Sequence, residues 1–121
     1  TLQHTEVAVV GGGMVGGALA LGLAQQGFDV TVIEQAAPPA FDPASKPDVR
    51  ISAISAASVD LLRGLGVWEA VQAMRAHPYS RLETWEWENA HVSFDAAELK
   101  LPRLGYMVEN NVLQLAPSNR I

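Results

Sequence analysis

No cysteine occurs in the 121 residues. That absence excludes a disulfide scaffold, a thiolate zinc site and a cysteine nucleophile within this chain, and it fits a reducing compartment. Basic charge is scarce too. Eight Lys and Arg stand against thirteen Asp and Glu, a formal net charge of -5. A general nucleic-acid binder needs clustered Lys and Arg for phosphate contacts and shows the opposite balance. Long apolar runs are also missing. The longest, Met14 to Ala24, is shorter than the roughly 20 residues that cross a bilayer, and it contains Gly16, Gly17 and Gly22. Acidic Glu6 and a glycine cluster stand where a secretory leader would be basic. His4, His77 and His91 lack metal-ligand spacing, so no metal site is expected. No repeat or low-complexity tract interrupts the chain. With 49% hydrophobic and 17% charged residues, the composition is globular, at a length that suits one domain or a piece of a larger one.

Glu6 to Val10 reads as a short buried strand, β-branched and nearly all apolar. Gly11-Gly12-Gly13 ends it, and Met14 to Gln26 reads as a helix stopped by Gly27. Asp29 to Glu34 is a second β-branched strand, completing a βαβ unit with a parallel strand pair. Gln35 to Asp48 carries four prolines, at 38, 39, 43 and 47, and reads as a loop before a strand-like run from Val49 to Ile54. Ser55 is expected to cap a helix through Arg63, and Val67 to Ala76 a second helix closed by Pro78. The period then changes. Arg81 to Glu88 and His91 to Asp95 alternate, with a hairpin turn expected at Asn89-Ala90 and with Trp85 and Trp87 on one face. Gly105 to Val108 is a short strand. Asn110 or Asn111 caps a helix that Pro117 is expected to cut to little more than a turn.

Gly11-Gly12-Gly13-Met14-Val15-Gly16 fits G-x-G-x-x-G. Alone that pattern is weak. Between a strand and a helix, with a second strand ending in Glu34, it is a dinucleotide-binding fingerprint. Gly11 permits the tight turn, Gly13 leaves room for a pyrophosphate, and Gly16 allows helix and strand to pack closely. Free N–H groups around Met14 and Val15 and the helix dipole favour the phosphate charge. The Glu34 carboxylate can accept from both hydroxyls of an adenosine ribose and would repel a 2′-phosphate, which points to FAD or NAD and away from NADP. The glycines do not separate the first two. A plain NAD domain continues with a helix after the second strand, whereas here a proline-rich loop leads to Arg50, well placed to return to the cofactor; a solvated surface arginine is the plain alternative.

Val-Ala-Val-Val-Gly-Gly-Gly-Met-Val-Gly-Gly, Val-Ile-Glu-Gln, Arg-Ile-Ser-Ala-Ile-Ser and Leu-Gly-Val-Trp follow in this order. Together they resemble the FAD monooxygenases of the p-hydroxybenzoate hydroxylase type, and within them the ubiquinone-biosynthesis hydroxylases. Leu82 to Trp87 and Tyr106 to Asn110 add to the likeness, which runs from about Glu6 to Leu115. It implies an α/β fold, a Rossmann-like FAD-binding βαβ domain with the first strands of a substrate-binding β-sheet. Residues 1–78 would be the FAD-binding region, 79–104 the start of the substrate sheet, and 105–121 a return to the FAD domain. Gly11, Gly13, Met14, Val15 and Gly16 would hold the pyrophosphate, and Glu34 the adenosine ribose. Gln35, next to Glu34 in the matched stretch, counts as cofactor-binding with it, and Arg50 would reach the ribityl-phosphate side. Glu109 falls where many relatives carry a polar residue near the flavin.

The implied reaction is hydroxylation of a polyprenyl benzoquinol ring with O2, NAD(P)H being the transient reductant of FAD. A ubiquinone-biosynthesis complex is an implied partner, and the implied location is cytoplasmic, at most peripheral at the inner membrane. Members of the family are about three times longer and carry a later Gly-Asp motif that is absent here, so the chain is expected to be an amino-terminal, truncated part, inactive alone and without catalytic residues of its own. Two other readings stay open: an NAD-binding module of a dehydrogenase, and an α/β fragment whose inherited site no longer works.

Overall fold

The computed structural model describes residues 2–121. Strand β1 (Val7–Val10) and strand β2 (Val30–Ile33) flank helix α1 (Met14–Gln25) and pair in parallel, with Val7 opposite Val30 and Val10 opposite Ile33. This is the expected βαβ unit. The sheet is covered on one side only. Val9 is buried, whereas Val10, one residue on, is 81% exposed. The expectation of a buried strand therefore holds for Val9, with Val7 half-buried: strand side chains alternate, and only one face meets α1.

The proline-rich segment forms no helix or strand and ends at strand β3 (Ile51–Ser55). Ser55 caps helix α2 (Ala56–Gly64), its hydroxyl accepting from the Ser58 N–H. Helix α3 (Trp68–Met74) follows. Pro78 does not close α3, which ends at Met74 with Arg75 already extended. It lies within a short strand, β4 (His77–Tyr79), at the edge of an antiparallel sheet ordered β3-β7-β4, where a missing N–H costs no ladder bond.

Strand β5 (Arg81–Glu86) and strand β6 (Ala90–Asp95) form an antiparallel hairpin. The hairpin turn begins two residues earlier than expected. Residues 87–89 make it, and Trp87 adopts φ 59°, so it is not a strand residue on the face of Trp85. Cross-strand register puts Leu82, Thr84, Val92 and Phe94 on one face and Trp85, Glu83 and His91 on the other. A single 3-10 turn, Ala96–Leu99, returns the chain to strand β7 (Gly105–Glu109).

Helix α4 (Asn110–Ser118) runs through Pro117, about three residues past the point expected for its end. Pro117 sits in its last turn, where it forfeits one backbone bond, and its ring is fully buried. A Cβ added at Gly17 of α1 would meet that ring at 3.5 Å, so the small residue and the proline fit one another. The core lies between α1, α2, α3, β7 and α4 and includes Leu21, Val59, Val67, Trp68, Val71, Tyr106, Val108 and Val112. Trp68 and Tyr106 meet edge to face, with centroids 4.8 Å apart. Such a pair adds about 0.5–1.5 kcal/mol beyond its buried area. The packing of α4 against α1 fastens the end of the chain beside the glycine turn.

Candidate functional site

Strand register assembles the glycine turn and Glu34. Because Val10 lies opposite Ile33, the next residues of both strands, Gly11 and Glu34, emerge side by side at the carboxyl end of the sheet. The Gly11 N–H donates to the Ile33 carbonyl at 2.8 Å, extending the pairing to the turn itself. Gly11 then takes φ +104°, a conformation that favours glycine. Gly16, on the first turn of α1, lies against it: a Cβ there would stand 1.9 Å from the Gly11 carbonyl oxygen. The helix can begin this close to the strand only because residue 16 has no side chain.

Gly13 caps α1 without a side-chain hydrogen bond, and a Cβ on it would meet nothing within 4 Å. The space in front of the turn is open, and a side chain would occupy it. The N–H groups of Met14 and Val15 belong to the first helical turn and have no partner within the helix. Such donors, with the positive end of the helix dipole, suit an anion.

Glu34 is exposed at this mouth. One carboxylate oxygen accepts from the Gly12 N–H at 2.5 Å, and the other accepts from Gln35 N–H at 2.9 Å and Ala36 N–H at 3.4 Å. These donors, Gly12 foremost, hold the carboxyl below the ordinary carboxylate range. Gln35 contributes its backbone N–H to Glu34. A cavity of about 300 Å³ opens here between Gly12, Gly17, Val32, Glu34, Ala37, Pro38, Ser118 and Ile121. The ionised Glu34 acceptor and Gly12 of the glycine turn therefore share this opening, and the helix start with its free Met14 and Val15 N–H groups follows two residues on, an arrangement that can receive a ribose at the carboxylate and phosphates at the helix start.

Arg50 lies apart from this cluster in its hydrogen bonding. It is exposed, immediately before β3, with its N–H donated to Asp48 Oδ1 at 3.3 Å and its carbonyl accepting from Asn110 N–H at 2.9 Å. Its guanidinium makes no hydrogen bond or ion pair among the described residues, so it is free to meet a ligand.

Glu109 ends β7, its side chain only 10% exposed, and pairs with Arg75 at 3.1 Å. It also accepts from the Asp48 N–H at 2.7 Å. Sequence reasoning missed Arg75 and Gln114. Gln114 of α4 donates to the Gly12 carbonyl at 3.1 Å and so braces the glycine turn from a hundred residues away. Neither stands in a motif; a buried acid such as Glu109 calls for a cation, but spacing does not say which one. Among the described residues no three His, Asp or Glu side chains converge on a metal position, and no helix is long and apolar enough to cross a membrane.

A family described as "FAD binding domain" matches residues 4–114. The chain is 79% identical over 116 residues to 3-demethoxyubiquinol 3-hydroxylase of Escherichia coli K12, a match covering 96% of this chain and 30% of the relative. It is 31% identical over 122 residues to the mitochondrial ubiquinone biosynthesis monooxygenase COQ6 of Danio rerio, covering 96% and 25% of the two chains. The chain thus spans about 30% or less of the length of these curated relatives. In fold it is similar to a variant of PqsL from P. aeruginosa, with TM-score 0.72 and 19% identity over 98% of this chain and 30% of that one. It is also similar to 2-methyl-3-hydroxypyridine-5-carboxylic acid oxygenase, with TM-score 0.69 and 23% identity over 94% and 28% of the two chains.

Proposed function

This chain belongs to the FAD binding domain family, and from that premise we propose that it forms the adenosine end of the FAD site of a ring hydroxylase of ubiquinone biosynthesis. The observation that carries the reading is the Glu34 carboxylate hydrogen-bonded into the mouth of the open glycine turn. In it Gly11, Gly13 and Gly16 shape the turn, and the Met14 and Val15 N–H groups meet the pyrophosphate. Glu34, oriented by the Gln35 N–H, accepts from the ribose hydroxyls. Arg50 reaches the phosphate or ribityl portion from the far side of the loop.

The substrate we assign is a polyprenyl benzoquinol, in line with the 79% identical relative, named a 3-demethoxyubiquinol 3-hydroxylase. Bound FAD, reduced by NAD(P)H, supplies the oxygen-activating chemistry; the residues of this chain bind and orient it. Residues 1–78 would serve as the FAD-binding region, residues 79–104 as the start of the substrate sheet, and residues 105–121 as the return to the FAD region. A cytoplasmic location with at most peripheral contact at the inner membrane, and association with other ubiquinone-biosynthesis proteins, complete the reading. The family membership favours FAD over the NAD-module alternative.

The test is flavin binding by the full-length protein. It should purify with flavin absorbance or take up FAD when supplied, and it should convert a short-chain demethoxyubiquinol to hydroxylated product with NAD(P)H and O2. Glu34→Ala should weaken FAD binding roughly tenfold, the scale of lost charge-assisted hydrogen bonds. A protein that takes up no FAD ends the reading.

A further inference from the structure

The loop from Gln35 to Asp48 has no helix or strand to hold it, yet it delivers Arg50. One side chain gathers most of its fastenings. The Arg75 guanidinium, at the end of α3 and 27% exposed, pairs with Glu109 at 3.1 Å. It donates to the Ser45 carbonyl at 2.9 Å and to the Pro43 carbonyl at 3.5 Å, and lies over the Phe41 ring at 5.1 Å. Glu109 meanwhile accepts from the Asp48 N–H at 2.7 Å. Asp48 in turn accepts from the Arg50 N–H and from Asn111 of α4. A contact chain thus runs from α3, through the acid at the end of β7, to the backbone of Arg50.

We propose that Arg75 is a positioning residue for the cofactor site: clasped to Glu109, it holds residues 41–48 in place and thereby sets Arg50 towards the bound dinucleotide. The inference rests on the FAD reading of the site. The physical reason is that a planar guanidinium holds its donors in a fixed fork on separate nitrogens, one facing the Glu109 carboxylate and another the two loop carbonyls, whereas an ammonium must aim all its donors from one atom. Prolines at 38, 39, 43 and 47 reduce the number of loop conformations but supply no donors, so the loop carbonyls need an outside partner. Arg75 reaches no part of the glycine turn in its hydrogen bonds, and its effect on the cofactor has to pass through the loop.

The test is a double-mutant cycle in the full-length protein, read by FAD dissociation constants and by amide hydrogen exchange across Ala44–Arg50. Arg75→Met should weaken FAD binding roughly tenfold when Arg50 is present, and much less in an Arg50→Ala background, because coupled residues are non-additive. Exchange across Ala44–Arg50 should accelerate in Arg75→Met. If Arg75→Met does not fold, Arg75→Lys keeps the charge for Glu109 but not the fork for both carbonyls, and should show the same coupling at smaller size. An unchanged dissociation constant, or an equal loss with and without Arg50, overturns the proposal. Failure of the FAD reading looks different: the unaltered protein takes up no FAD, which removes the link to the cofactor whether or not loop exchange responds to Arg75.

Discussion

Strands β6 and β7 are alike in length and both carry apolar residues, yet they live in different surroundings. β7 runs between β3 and β4 and is buried along nearly its whole length; Val108 is 1% exposed. Among the described residues β6 pairs only with β5, and its Val92 and Phe94 are both more than half exposed. The difference lies in the neighbours. β7 has a strand on each side and helices packed on its face, and β6, among the described residues, has one strand beside it and no layer packed over it. A strand's own residues decide which side chains share a face; the number of layers decides whether that face leaves water.

The largest expected consequence is in the packed half. Trp68→Ala removes a buried ring and its edge-to-face contact with Tyr106. It should cost about 3–5 kcal/mol in denaturant unfolding. A loss below about 1 kcal/mol would show that the two halves do not differ in the way their burial indicates. Next in size is Gly16→Ala. Its Cβ would fall 1.9 Å from the Gly11 oxygen, a backbone atom that has no rotamer to escape by. A loss of about 1–3 kcal/mol, the scale of overpacking, is expected, together with loss of flavin uptake. Normal stability and binding would mean that α1 can slide along β1.

The hairpin should respond in the opposite sense. Trp87 is 86% exposed and held at φ 59°. Trp87→Gly should be neutral or stabilise by up to about 1 kcal/mol, since glycine accepts left-handed backbone without the Cβ penalty. A melting temperature lowered by several degrees would reveal a packing role that its exposure does not indicate. The smallest effect concerns Glu34. Its folded-state carboxyl titrates below the ordinary value, held there chiefly by the Gly12 N–H. Its contribution to stability is therefore present above the unfolded-state pKa and fades as pH falls through the lower folded value. Exposure to solvent keeps this slope shallow. The Gly12 amide shift, followed by NMR, should track that titration and lose its acid-side step in Glu34→Gln. An acid-side step that persists in Glu34→Gln would assign it to another group.

The glycine turn was legible because each of its requirements is local. A strand must end, the chain must turn at Gly11, and Gly16 must approach that turn; an acid must follow the second strand. The Ser55 cap was legible for the same reason, a hydroxyl reaching an N–H three residues on. The proline at 117 misled because the usual rule concerns helix interiors. Here the ring falls in the final turn and is buried against Gly17, a contact between residues a hundred positions apart. Trp87 misled because alternation continues into the turn without a sign that the strand has stopped. Arg75 and Gln114 lay outside every motif, since nothing in their own neighbourhood tells which distant carbonyl or acid they serve.

The sequence by itself determined the βαβ unit, the glycine turn, the acid at the second strand end and the family, all of which follow from short-range patterns and the order of motifs. The tertiary structure alone decided that Glu34 bonds back into the turn, that α4 and Gln114 brace it, and that Arg75 and Glu109 fasten the proline loop. The physical reason is range. Backbone conformation responds to neighbours a few residues away, whereas a hydrogen bond or a buried charge pair is satisfied by whatever the packed chain brings within about 3 Å, at any separation along it.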